Sequence, residues 1–376
     1  MNYQLISDNN GLEQVCQQER QHTQVALDTE FVRTRAYYPQ LGLIQLFDGE
    51  TISLIDSLTI SAWQPFVALL QDALVTKFLH ASSEDLEVFL NAFGVLPHPF
   101  IDTQILAAFL GKPLSYGFAA LVADYQGVTL DKTESRTDWL ARPLTEKQCD
   151  YAAADVFYLL PMAAEKIVAE TREAGWLDAA LDECRLLCQR KQDILAPELA
   201  YREFGNAWQL RGKQLACLQL LAQWRLNLAR QRDSPVNFVV REENLLQVAR
   251  CMPSSLGELS ALGLSGPEIR YHGKTLLDIV AQANALPESQ YPAPIVNLID
   301  YPGYKRVFKD TKTLVMQVSE RSGLSAELLA SRRQINRLLN WHWKLFAQEG
   351  SVPEMLNGWR AELFAAPLRD LLTREG

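Results

Sequence analysis

Five residues in the first half of this 376-residue chain are of types that could share one piece of chemistry. Asp28 and Glu30 stand one residue apart in an apolar run, residues 25–32, that reads as a strand. Both carboxylates therefore leave one sheet face, while Leu27, Thr29 and Phe31 leave the other. Two acids side by side repel unless a proton or a cation separates them. Asp85 opens a helical period just after Lys77-Phe78-Leu79-His80. Tyr151 and Asp155 are four apart on a further helical segment, hence on one face, with small Ala152, Ala153 and Ala154 between them. Asp155 borders apolar Val156, Phe157, Leu159 and Leu160, where a carboxylate needs a partner. Each feature has an ordinary explanation as well. Asp-x-Glu at a strand end is often solvated surface, Asp suits a first helical turn, and Tyr-x-x-x-Asp fits any amphipathic helix. Together, four carboxylates and a phenol form a hard-oxygen set suited to Mg²⁺ or Mn²⁺. Two such ions roughly 3.5–4 Å apart activate water and stabilise the leaving oxygen in phosphodiester cleavage.

The elements that must position these residues alternate in type. Residues 25–32, 41–47, 51–55 and 75–79 read as strands, the second and third joined by an Asp48-Gly49 hairpin turn. Helical periods cover residues 85–93 and 146–173, the latter opened by a Thr145/Gln148 capping box. This mixture predicts a partly antiparallel sheet flanked by helices. Beyond residue 200 no comparable strands are expected. Residues 215–230 and 326–346 read as helices, and four of the chain's 17 prolines fall between Pro287 and Pro302, a stiff linker by composition.

Bulk charge argues against a protein that simply coats phosphates: 36 Lys+Arg face 45 Asp+Glu, a net −9. The distribution is more informative. Residues 1–200 hold 14 basic and 28 acidic side chains, whereas residues 201–376 hold 22 and 17, a balance of +5. Six cysteines without a Cys-x-x-Cys pair read as reduced thiols. Neither a signal peptide nor an apolar run of ~20 residues is visible, so a cytoplasmic protein without a membrane span is expected. Gly273-Lys274-Thr275 ends like a phosphate loop, but Glu268 stands where its first glycine is required.

The residues resemble the DEDD 3′→5′ exonucleases, in the subgroup with tyrosine in the third motif. The first motif is Leu-Asp-Thr-Glu-Phe-Val-Arg (27–33), extending through Tyr37-Tyr38-Pro39 to Leu43-Ile44-Gln45-Leu46. The second is Leu79-His80-Ala81-Ser82-Ser83-Glu84-Asp85-Leu86, and the third is Tyr151-Ala-Ala-Ala-Asp155, preceded by Asp138-Trp139-Leu140-Ala141-Arg142-Pro143-Leu144. Residues near 210–290 are similar to an HRDC domain, and residues 296–376 to a second, divergent copy. The resemblance implies an α/β ribonuclease-H-like catalytic domain with a mixed sheet (1–195) and two small all-α HRDC-type domains (208–290 and 296–376). It implies that Asp28, Glu30, Asp85 and Asp155 hold two divalent ions, Mg²⁺ or Mn²⁺, with Asp28 bridging and Tyr151 orienting the attacking water. It implies trimming of RNA with a free 3′ end, tRNA precursors among the substrates, with release of nucleoside 5′-monophosphates by a cytoplasmic protein; a monomer is the default expectation.

Further residues are expected near the substrate. His80 contacts the terminal nucleotide or is a buried, hydrogen-bonded histidine. Arg136 and Arg142 flank Trp139 and meet phosphates or solvent. Arg332, Arg333 and Arg337 fall within two turns, with Lys305, Arg306, Lys309 and Lys312 upstream, a candidate surface for the RNA backbone. Two competing readings are a 3′→5′ DNA exonuclease and a catalytically silent RNA-binding protein. The intact set at 28, 30, 85, 151 and 155 opposes the second.

Overall fold

A computed structural model describes residues 1–131, 133–345 and 352–373. The chain divides into two compact units, Met1–Val32 with Pro39–Gln192 and Gly303–Gly376, and Arg33–Tyr38 with Asp193–Pro302.

The first unit is built on one mixed sheet with the order β1-β4-β3-β2-β5-β6. The strands are β1 (Gln4–Ile6), β2 (Gln24–Val32), β3 (Gln40–Phe47), β4 (Ile52–Asp56), β5 (Thr76–Leu79) and β6 (Phe100–Asp102). β2 runs antiparallel to β3 and parallel to β5, so the strand carrying Asp28 and Glu30 is paired on both sides. Its first half, Val25, Ala26 and Leu27, is fully buried, which fixes the register and with it the faces of the next residues. The expected hairpin joins β3 to β4; Gly49 takes φ +104°, and Asp48 Oδ1 accepts from the Glu50 and Thr51 amides, both at 2.7 Å. β1 and β6 are three-residue strands without a legible alternation. They pair parallel to β4 and β5.

Two helices differ from expectation. The helix starting at Glu146 has its capping box but ends at Phe157, followed by Leu159–Met162, a π-helical turn Ala163–Ile167 and Val168–Glu173. Pro161 has no N–H for the Phe157 carbonyl, so the ladder breaks there. The helix expected over 326–346 is two, Ala326–Leu329 and Arg332–His342. Ser331 and Gln334 form a new capping box that starts the second, and Ala330 is extended. Phe346 lies outside the described residues.

The second unit is helical, and no strand occurs among the described residues after 200. Its core joins Leu215, Leu218 and Leu221 of the Gly212–Gln231 helix to Leu245 and Val248 of Glu242–Cys251 and Leu276 and Val280 of Gly266–Ala285.

Candidate active site

Three of the expected acids converge. Asp28 and Glu30 from β2 and Asp155 from the Glu146–Phe157 helix present oxygens all within 4.8 Å of one another. Alternation puts the first two on one face of the strand, and packing of that helix on β2, β3 and β4 brings Asp155 to them. Asp85 lies in the first turn of the Ser83–Phe93 helix and stands outside this three-residue set. Its Oδ1 accepts from the hydroxyl of Thr29, the residue that alternation turns away from the Asp28/Glu30 pair. Tyr151 shares with Asp28 and Asp155 an open cavity of about 220 Å³, also lined by His80, Ala81, Gly117, Phe118 and Leu159.

Electrostatics single out the same acids. Burial, reinforced by the neighbouring carboxylates, holds Asp28 and Glu30 well above the usual carboxylate range. Burial also pushes Asp155 up to about 7, with Asp85 adding to the effect. Asp85 rises to about 7 through burial, against the pull of Thr29 and a backbone amide. Tyr151 is raised by burial and then by Asp155, Glu30 and Asp28, so its phenol keeps its proton at neutral pH. A clustered set of hard oxygens that resists ionisation fits a divalent cation, which would supply the missing positive charge.

A pH dependence follows. These acids bind protons more readily folded than unfolded, so without metal their contribution to stability falls as pH rises from about 4 through 7. A cation relieves that cost, whereas protons compete with it at low pH. The gain in Tm on adding Mg²⁺ should therefore be larger at about pH 8 than at about pH 5.5. Calorimetric melts with Mg²⁺ and with EDTA test this; an equal gain at both pH values contradicts it.

Comparison with known proteins agrees with this geometry. The 3′-5′ exonuclease family model matches residues 3–168, the HRDC domain model residues 214–280, and the model of the ribonuclease D C-terminal HRDC domain residues 302–368. Ribonuclease D of Musicola paradisiaca is 73% identical over 372 residues, 99% of either chain. The Escherichia coli enzyme is 64% identical over the same share. The chain belongs to the ribonuclease D family. The crystal structure of Escherichia coli RNase D, described as an exoribonuclease involved in structured RNA processing, superposes with a TM-score of 0.98, covering 100% of this chain and 99% of that one. As a ribonuclease D, the chain is a 3′→5′ exoribonuclease with a mixed-sheet exonuclease domain and helical HRDC domains, and it acts on RNA. These matches carry the exoribonuclease reading rather than the DNA or silent alternatives. The family's hydrolysis depends on divalent metal, for which the acidic cluster is the candidate site.

Within this ribonuclease D, one expected substrate contact needs correction. Arg142 has five N–H donors and all are engaged inside the protein. Nε and one Nη2 hydrogen reach Asp56 at 2.8 and 2.6 Å, and the rest meet the carbonyls of Trp139, Ala141 and Gly42. The residue straps the segment before the third motif to the sheet rather than meeting phosphates. That strap seats Trp139, whose ring centroid lies 6.1 Å from that of Tyr151. It also needs Gly42, where a Cβ would come within 2.5 Å of the Trp139 carbonyl oxygen.

His80 lines the cavity with both nitrogens engaged, Nδ1 at 2.9 Å from Thr103 Oγ1 and Nε2 at 3.0 Å from the Tyr116 carbonyl. Nε2 must donate to that carbonyl, and burial lowers the imidazole's basicity. The bonded alternative thus describes its nitrogens, while its ring still walls the pocket beside Phe118, 5.5 Å away. Arg136, Arg332, Arg333 and Arg337 are exposed. The last three lie on the Arg332–His342 helix, far in sequence from the acidic cluster, and Arg332 covers the Phe308 ring at 5.9 Å. Gly42, Asp102, Phe118 and the bond from Thr29 to Asp85 escaped sequence reasoning. Only Gly42 carried a signal, a glycine inside an apolar strand.

Proposed function

We propose that this ribonuclease D hydrolyses the last phosphodiester of structured RNA, such as tRNA precursors with a free 3′ end, at a two-ion site, releasing nucleoside 5′-monophosphates. The convergence of Asp28, Glu30 and Asp155 within 4.8 Å carries this reading. Those three and Asp85 would hold the ions; Asp28, whose charge couples to Asp85, Asp155 and Glu30, would be the ligand that the ions share. When bound, Mg²⁺ or Mn²⁺ acidifies the attacking water and neutralises charge at the leaving oxygen. Tyr151 keeps its proton and so orients the water by hydrogen bonding rather than removing its proton. The cavity walled by His80, Phe118 and Leu159 offers ring and aliphatic surface to the terminal nucleoside.

The domain assignment we favour is 1–195 for the exonuclease, 208–290 for the first HRDC domain and 296–376 for the second. Lys305, Lys309 and Lys312 project at i, i+4 and i+7 from the Tyr304–Ser322 helix, all exposed. With the exposed Arg332, Arg333 and Arg337 of the Arg332–His342 helix they would supply the cationic charge that attracts the RNA backbone. Six free cysteines suit a reducing cytoplasm, and no helix among the described residues is long and apolar enough to cross a membrane. The protein is taken to work as a monomer.

The test uses matched RNA and DNA duplexes with recessed 3′ ends, in Mg²⁺ and in EDTA. RNA should shorten one nucleotide at a time from its 3′ end, and EDTA should stop it. Faster loss of the DNA strand would overturn the substrate assignment.

A further inference from the structure

Asp102 is 2% exposed and bonds to no cationic side chain among the described residues. It ends β6, and its carboxylate meets four donors. Oδ1 accepts from the amides of Ala81 at 3.0 Å and Gln104 at 2.8 Å. Oδ2 accepts from the Ser82 amide at 2.8 Å and the Ser82 hydroxyl at 2.7 Å. Those four bonds fill the capacity of an ionised carboxylate. The next residue continues the grip: the single Thr103 O–H donates either to the Leu79 carbonyl, 3.1 Å away, or to His80 Nδ1, 2.9 Å away. Two consecutive residues thus hold the chain from Leu79 to Ser82, the turn that leads into the Asp85 helix.

That turn does not hold itself. Ala81 adopts φ +56°, a left-handed conformation that is unfavourable for a residue with a Cβ. Ser82 sits at the N-cap of the Ser83–Phe93 helix but makes no side-chain cap, because its hydroxyl is given to Asp102. The helix start, and therefore the position of Asp85 one turn later, depends on Asp102 across the β5–β6 pair, where Leu79 and Asp102 are register partners. Asp85 is also the acid that stands outside the tight three-residue set, so a small movement of its helix changes whether it can complete that set.

We infer that Asp102 is a positioning residue that sets Asp85 for the divalent ions, acting through the Ala81-Ser82 turn. The inference rests on Asp85 being a ligand, as proposed above. Replacing the carboxylate by an amide puts N–H groups against N–H donors and leaves two of the four without an acceptor. Outer-shell partners of this kind typically change metal affinity about ten- to hundredfold.

The test is a calorimetric titration of Mn²⁺ into the full chain without RNA, for the parent, Asp102→Asn, Ser82→Ala and Asp85→Asn. Asp102→Asn should weaken Mn²⁺ binding about ten- to hundredfold. Excess Mn²⁺ should restore kcat, with KM for RNA unchanged. Ser82→Ala removes one of the four bonds and should shift affinity in the same direction by less; it decides the matter if Asp102→Asn does not fold. Parent-like Mn²⁺ affinity in folded Asp102→Asn, or in Ser82→Ala where that variant decides, overturns the inference. Parent-like affinity in Asp85→Asn overturns the ligand assignment instead, which separates the two failures. A variant that loses kcat and stability together, without rescue by Mn²⁺, marks Asp102 as merely structural and also overturns the inference.

Discussion

Replacing Asp155 by alanine is expected to reduce single-turnover cleavage of a short RNA by about a thousandfold or more, with RNA affinity in EDTA close to the parent value. Asp155 supplies the oxygen that joins the helix to the β2 pair, and its carboxylate couples electrostatically to Asp28 and Glu30. Losing it leaves two acids on one strand face with one side of the ion site open. Stabilisation of transition-state charge by a metal is worth several kcal/mol, and about 4 kcal/mol corresponds to three decades in rate. Tyr151→Phe should be milder, about a hundredfold, because positioning of the water is lost while the acids remain. Activity in Asp155→Ala within tenfold of the parent would remove this residue from the site.

Legibility in the sequence followed the range of the interactions concerned. Asp28 and Glu30 were readable because a period of two needs only the strand itself. Tyr151 and Asp155 were readable because the Thr145/Gln148 box sets the start of their helix locally. The break at Ser331 was written in an equally local box, Ser331 with Gln334, but apolar periodicity running across it favoured a single helix. Arg142 was misplaced for a different reason. Its five acceptors come from Asp56, Gly42 and its own loop, and two of those are 86 and 100 residues away. The offset of Asp85 toward Thr29, and the hold of Asp102 on the turn before it, likewise arise across sheet pairings that no single segment specifies. The same is true of the grouping of residues 303–376 with the exonuclease part in one compact unit, since its main polar tie joins residues 177 positions apart.

That tie carries the second large effect. Glu183, on the Leu177–Gln192 helix, is 7% exposed and accepts from Arg360 Nη1 at 2.5 Å, Trp359 Nε1 at 3.2 Å and Arg190 Nη2 at 2.9 Å. Arg360 is 3% exposed; it also donates to the carbonyls of Leu329 and Leu328 and lies over the Trp359 ring at 4.3 Å. Glu183→Ala would leave that buried guanidinium without its bonded carboxylate, with Glu354 the remaining nearby negative charge, and the Trp359 N–H without an acceptor. Breaking a buried pair from one side typically costs about 3–5 kcal/mol, far more than an exposed pair. Arg190→Ala should cost less, about 1 kcal/mol, because Arg190 is 40% exposed and Glu183 keeps Arg360. The destabilisation belongs to the uncompensated charge rather than to the loss of an attraction, and this can be tested separately. Glu183→Leu combined with Arg360→Met removes both charges and should recover most of the loss, whereas Glu183→Leu alone should resemble Glu183→Ala. Denaturant midpoints of the full chain measure all four variants. If Glu183→Ala costs under about 1 kcal/mol, the pair is not what unites the C-terminal helices with the exonuclease part. Their shared apolar contacts, such as Phe109 against Trp359 at 5.0 Å, and the Arg190–Glu354 pair at 2.8 Å would then carry the junction.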